Sequence, residues 1–297
     1  MVVVLRRVLA FTLRRSPESE QEKAGRKYHL MAEDFVLSAS SLNTFLRCGK
    51  MWMFAYVLGI KSPPSLRAVR GIAVHTAVEV NMRQKLISQQ DLPITDVLDA
   101  YSTSFEVETQ DGFETRDGED KGEIKDMGVA LTSIYQNQVA PKIQPVLVEH
   151  PIQFTINGQA WTGQIDLADE EPANLWGDPE PGLRVRDTKT SGRAPRPEQY
   201  GINMTGYAIG VRQGLGRKES DVIFDYLIAT KKPYYEPIHT GQVTDEQIRS
   251  FAYLVGDVAS SIKAGSFPAN GLTNPGICDW CGFRAQCPAY AAKNPNK

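Results

Sequence analysis

The sequence predicts one α/β or α+β domain in which an N-terminal helical part packs on a mixed sheet. Three observations carry that prediction. Helix signals dominate to about residue 138. Strand signals then take over, starting with Asn157-Gly158 between two strand-like runs, a strong signal for a type I′ hairpin turn. A helix with a capping box at its start, Thr244-Asp-Glu-Gln247, closes the pattern. The 297 residues suffice for one large or two small domains with a buried core. With 41% hydrophobic and 23% charged residues the composition is that of an ordinary globular protein. A net charge of -2 gives no global attraction to nucleic acid, so any DNA contact must come from a local basic groove. No apolar run reaches the ~18 residues of a membrane span.

The elements follow in order. Residues 1–15 are apolar and basic, like the start of a targeting peptide. Arg6 and Arg7 interrupt the apolar run, and no small-residue cleavage site follows. Residues 16–30 are polar, and 1–30 together read as a disordered extension before the cleaner beginning at Met31. Ser38 to Ser41 offers helix N-caps ahead of Leu42, Phe45 and Leu46, and Cys48 falls near that helix's end. Residues 50–60 are aromatic-rich, and Trp52, Phe54 and Tyr56 are expected to be buried. After Pro63-Pro64, a helix over 65–86 has Val69, Ile72, Ala73 and Ala77 as its apolar stripe. His75 and Glu79 share one of its faces. Helices over 93–108 and 122–138 flank an acidic, Gly-rich loop at 109–121. Strands are expected over 146–156, 159–168, 183–191, 222–229 and 234–239, with a surface loop at 169–182. Helices over 197–212 and 244–263 and an irregular tail after Gly265 complete the chain.

The stretch Leu183 to Ser191 carries the sharpest chemical hint. On a strand, Val185, Asp187 and Lys189 share a face. Gly163-Gln-Ile-Asp166 puts a second carboxylate at the end of another strand. Two carboxylates and a lysine fit metal-assisted phosphodiester hydrolysis: the acids hold a hard cation, the cation activates water, and the lysine offsets phosphate charge. Asp-x-Lys alone also suits a surface ion pair of little energetic consequence. Cys278, Cys281 and Cys287 form C-x2-C-x5-C in the tail, with Cys48 far upstream. Cysteines so close on a loop suit metal ligation; structural zinc, or ordinary packing of small core residues, are the alternatives.

Taken in order, these pieces resemble the RecB-like branch of the PD-(D/E)XK nucleases that carries an iron–sulfur cluster, including AddB-type recombination nucleases, CRISPR-adaptation exonucleases and stand-alone phage relatives. The resemblance runs from about Ser38 to Pro288. Ser40-Ser41-Leu-Asn-Thr-Phe45-Leu-Arg-Cys48 is similar to the opening helix with its first cluster cysteine. Gly71-Ile-Ala-Val-His75 is similar to the histidine motif, Gly163-Gln-Ile-Asp166 to Gly-x-x-Asp, and Asp187-Thr-Lys189-Thr190 to (Asp/Glu)-x-Lys. The fold implied is a restriction-endonuclease-like α/β core, a mixed central sheet flanked by helices.

The resemblance implies that His75, Asp166, Asp187 and the main-chain oxygen of Thr188 bind Mg²⁺ or Mn²⁺, and that Lys189 is catalytic. It implies that Cys48, Cys278, Cys281 and Cys287 hold a [4Fe–4S] cluster. Glu79 and Glu149 would support these groups or touch DNA, or would simply be solvated. The family's Gln-x3-Tyr appears here as Asn203-x3-Tyr207, with Gln199 one turn earlier, so DNA contact by these three competes with core packing. The parts implied are a helical part at 38–140, a nuclease core at 141–264 and a cluster-binding tail at 265–297. The implied activity is a metal-dependent exonuclease acting on single-stranded DNA or DNA ends. Its setting would be recombination, repair or phage DNA processing in the cytoplasm of a bacterial or phage-infected cell. No Walker A pattern is present, so the chain is not expected to unwind DNA by its own ATP hydrolysis; a helicase or recombinase is a candidate partner, and no membrane is expected. The rival function is a non-catalytic DNA-binding module with an iron–sulfur or zinc clip.

Overall fold

The structure is a computed structural model that describes residues 35–116, 118–170, 182–193, 201–272, 274, 276–279 and 281–293. The expected N-terminal extension and the position Gln199 lie outside the described residues.

Local chemistry sets the helical elements. Ser38 caps α1 (Ala39–Arg47), accepting from the Ser41 amide while the Ser41 hydroxyl accepts from the Ser38 amide. Cys48 ends α1, and α2 (Gly49–Trp52) continues into a π-helical turn, Met53–Val57. Ser65 caps α3 (Leu66–Ser88), which ends at Gln89 in the left-handed region. α4 (Ile94–Gln110) and α5 (Lys121–Ile134) pack against α3, and α5 widens into a π-helical turn at Tyr135–Val139. The three aromatics expected inside are split: Trp52 and Phe54 are 3% and 5% exposed, but Tyr56 is 37% exposed. Ile72 likewise leaves the expected stripe of α3 and is 42% exposed, because its side of the helix borders an open cleft.

Five strands form one sheet whose spatial order equals their chain order. They are β1 (Pro145–Ile156), β2 (Gln159–Glu170), β3 (Leu183–Ser191), β4 (Glu219–Ile228) and β5 (Tyr234–His239). All neighbours are antiparallel except β3 and β4, which run parallel. That parallel pair requires a crossover, and α6 (Gly201–Gly214) supplies it. Asn157 and Gly158, with φ of 48° and 72°, make the left-handed turn joining β1 to β2. α7 (Asp245–Lys263) starts from the Thr244–Gln247 capping box.

The sheet carries a core on each face. Ile152, Phe154, Trp161, Ile165 and Val185 pack with residues of α1, α6 and α7. Val148, Leu167 and Leu227 pack with residues of α3, α4 and α5. Side chains two apart on a strand share a face, yet Ile165 and Leu167 belong to opposite cores, as do Val148 and Ile152. The β1–β2 hairpin therefore changes the layer it packs on at the level of Glu149 and Asp166.

Of the loop expected at 169–182, residues 171–181 lie outside the described residues, and Asp169 and Glu170 belong to β2 instead. Asp169 is a residue of β2, 1% exposed, and accepts from Arg186 Nε at 2.7 Å and from Arg184 Nη2. Arg186 also donates through Nη1 to Asp225 of β4 at 3.1 and 3.2 Å, and Tyr235 of β5 donates to Asp225 at 2.6 Å. A hydrogen-bonded charge cluster thus ties β2 through β5 together under the helices.

Candidate active site

The C-terminal half of β3 meets the first turns of α3. Gly71 permits this approach: a Cβ there would stand 3.2 Å from Thr190 Oγ1. One turn on, His75 faces the sheet, with Nδ1 3.3 Å from Asp166 Oδ2. The Thr188 amide donates to the same Asp166 oxygen at 3.3 Å. On β3, Asp187 is fully buried, and Lys189 Nζ sits 2.7 Å from its Oδ1. Tyr207 of α6 donates from its hydroxyl to Asp187 Oδ2 at 3.1 Å.

These groups open into a cleft of about 580 Å³, bordered by Arg67, His75, Glu79, Glu149, Asp166 and Lys189. A ring nitrogen of His75, a Glu149 oxygen and an Asp166 oxygen lie within 4.8 Å of one another. Such convergent nitrogen and oxygen donors fit a divalent cation. Burial, then the neighbouring Asp187, pushes the Asp166 carboxyl well above its usual range. Burial, then Glu79, raises Glu149 as well. Burial lowers His75, keeping the imidazole neutral and able to ligate. Burial acts against the Lys189 charge, but Asp187 and Asp166 outweigh it and hold its pKa above the ordinary value. Carboxylates that raise one another make an environment suited to added positive charge.

The structure brings His75, Asp166, Asp187, Thr188 and Lys189 to one place. Glu149 joins them, while Glu79 is held in an ion pair with Arg83 at 2.6 Å. Asn203 accepts from Asn43 Nδ2 at 3.4 Å, linking α6 to α1, and Tyr207 reaches the site. Sequence reasoning missed Gln164, which donates to Glu149 Oε2 at 2.5 Å, and Asn43. It also missed the Arg186 cluster; an arginine flanking the Asp-x-Lys stretch was its only visible trace.

A second cavity of about 350 Å³ is lined by all four cysteines with Met51, Phe54 and Ile277 among the apolar neighbours. Asn270 donates to the Leu46 and Arg47 carbonyls at 3.2 and 3.1 Å, which pins the tail onto the end of α1. No three of these sulfurs gather within 4.8 Å among the described residues.

Comparison with known proteins agrees with this picture. The model of a family described as the PD-(D/E)XK nuclease superfamily matches residues 36–288. The crystal structure of a candidate exonuclease from Eubacterium rectale superimposes with a TM-score of 0.50 at 14% identity, covering 89% of this chain and 92% of that one. At that identity the likeness speaks for the fold alone. The curated proteins contain no match. Among the described residues no helix is long and apolar enough to cross a membrane.

Proposed function

Because this chain belongs to the PD-(D/E)XK nuclease superfamily, we propose that it is a DNA exonuclease that hydrolyses phosphodiester bonds at single strands or DNA ends with Mg²⁺ or Mn²⁺. The superfamily's use of divalent metals and the donor set of the cleft agree. The observation that carries the reading is the convergence of His75, Asp166 and Lys189 on one open cleft, with the buried Asp187 against Lys189 beneath it.

His75, Asp166, Asp187 and the Thr188 carbonyl would hold the cation. When bound, it supplies Lewis acidity at the phosphate and lowers the pKa of the attacking water. Lys189 keeps its proton beside Asp187, so its ammonium can orient that water and offset charge on the phosphate. Tyr207 holds Asp187 in place. The cleft is open to solvent, and Arg67, ion-paired with Glu119, lines it.

We read the cysteine cavity as the seat of a [4Fe–4S] cluster rather than of a single zinc ion. Four sulfurs on a single tetrahedral zinc stand about 3.8 Å apart, given Zn–S bonds of about 2.3 Å. The four cysteines line one cavity of about 350 Å³, room enough for a cubane. With such a cluster, we read the protein as a member of the RecB-like, AddB-type branch, working in recombination, repair or phage DNA processing beside a helicase or recombinase.

End-labelled single-stranded and duplex DNA, incubated with Mn²⁺ or with chelator, tests the reading. Metal-dependent shortening from an end is expected. Binding of DNA without cleavage in either metal would leave only the non-catalytic reading.

A further inference from the structure

We propose that Glu149 is itself a metal-holding residue of this site, delivered to it by a left-handed backbone in the middle of β1. The proposal rests on the reading of the cleft as a divalent-cation site and adds a donor that the Asp-x-Lys and Gly-x-x-Asp patterns do not contain.

Three independent observations carry it. Glu149 has φ of 47°, a conformation that a side chain with a Cβ rarely adopts, and it adopts it inside a strand. The residue stands between Val148, opposite Leu167, and His150, opposite Ile165, and so lies level with Asp166. This is where the hairpin transfers from one core to the other. Regular alternation from Val148, which packs in the core with α3, would have turned position 149 to the sheet's other face, away from His75. The distortion instead brings its carboxylate within 4.8 Å of the donors of His75 and Asp166.

The carboxylate is also held in readiness. Gln164 donates to Oε2 at 2.5 Å, which fixes the group while Oε1 remains able to accept a cation. Among the described residues no lysine or arginine forms an ion pair with Glu149, whereas its neighbour Glu79 is paired with Arg83. Asp187, by contrast, already has Lys189 on one oxygen and Tyr207 on the other. Glu149 is therefore the carboxylate beside Asp166 that no lysine or arginine contacts directly among the described residues; Arg83, committed to Glu79, acts on it only from a distance.

Binding of Mn²⁺ to the full chain, read by calorimetry and by loss of the free-ion spin-resonance signal, tests this without reference to cleavage. Glu149→Gln should weaken Mn²⁺ binding at least tenfold, with Asp166→Asn as the positive control. Glu149→Gly should lose the same affinity yet melt at a higher temperature, because glycine accepts the left-handed backbone at no steric cost. Glu149→Gln with affinity within twofold of the parent, while Asp166→Asn loses binding, would overturn the role of Glu149 alone. A parent protein that binds no Mn²⁺ would overturn the cation site and this inference together. A Glu149→Gly variant that melts lower would overturn the claim that the backbone is strained for the sake of the side chain.

Discussion

The Tyr207 hydroxyl donates to Asp187 Oδ2 at 3.1 Å, joining the crossover helix to the carboxylate at the centre of β3. Burial, then Asp187, holds the phenol pKa far above its usual value, so the group stays a donor. A hydrogen bond to a charged group contributes about 1.5–3 kcal/mol. Tyr207→Phe should therefore lower stability by about that amount, measured by urea unfolding. It should also reduce kcat more than it raises KM, since the released carboxylate can rotate without changing the DNA-binding surface. Unchanged kcat in a well-folded variant would assign Tyr207 to packing alone.

Lys189 sits 2.7 Å from Asp187 and is 37% exposed toward the cleft. Lys189→Ala should abolish cleavage while leaving folding and DNA affinity near those of the parent. Asp187→Ala should abolish cleavage and weaken Mn²⁺ binding as well. The two variants separate the roles: the lysine acts on water and phosphate, the aspartate on the cation. Full activity in Lys189→Ala protein would remove the catalytic assignment.

The order of elements was legible in the sequence because capping residues and the Asn157-Gly158 turn are local signals, and Ser38 and Thr244 both cap where they were expected to. Asp166, Asp187 and Lys189 were legible as chemistry because they sit at fixed spacings on short strands. The rest depends on long-range packing. Asp169 looked like the start of an acidic surface loop, since nothing local shows that Arg186 draws it inside. Ile72 looked like core because helical periodicity does not reveal that the opposing surface is a cleft. Glu149 could be suspected but not placed, because the strand's period-two pattern says nothing of a reversal at one residue.

The Arg186 cluster yields a stability prediction. Asp225 is fully buried and accepts from both Arg186 and Tyr235. Removing one member of a buried pair leaves an uncompensated charge and costs about 3–5 kcal/mol. Asp225→Ala should destabilise by about that much in urea titration. A milder loss is expected when the cluster is replaced as a unit by apolar residues of similar volume. If Asp225→Ala costs under about 1 kcal/mol, well below the range for such pairs, the cluster is not the tie between β2 and β5 that its geometry describes.

The cysteine cavity joins the two ends of the chain. Cys48 ends α1, and Cys278 stands 230 positions later in sequence on the far side of the same cavity. The tail is already fastened there by Asn270 on the α1 carbonyls and by the Lys50 amide, which donates to the Pro268 carbonyl at 3.3 Å. Those contacts hold only while the tail stays docked, because each is a single hydrogen bond at an exposed helix end. A cluster on all four thiolates would convert docking into a covalent closure. By analogy with a disulfide over a long loop, restricting the unfolded chain in this way is worth on the order of 5 kcal/mol. Burial raises the Cys281 thiol pKa, so the unliganded cavity disfavours thiolate charge, and a bound cationic centre reverses that preference. Protein purified without oxygen should be brown and carry about four irons per chain. Cys48→Ala should lose colour and melt well below the parent although its sequence neighbours hold no other cysteine. Asn270→Ala should keep the colour and lose only a fraction of that stability, which distinguishes the clasp from its hydrogen bonds. Stoichiometric zinc without iron, or a Cys48→Ala protein as coloured and as stable as the parent, would rule the cluster out.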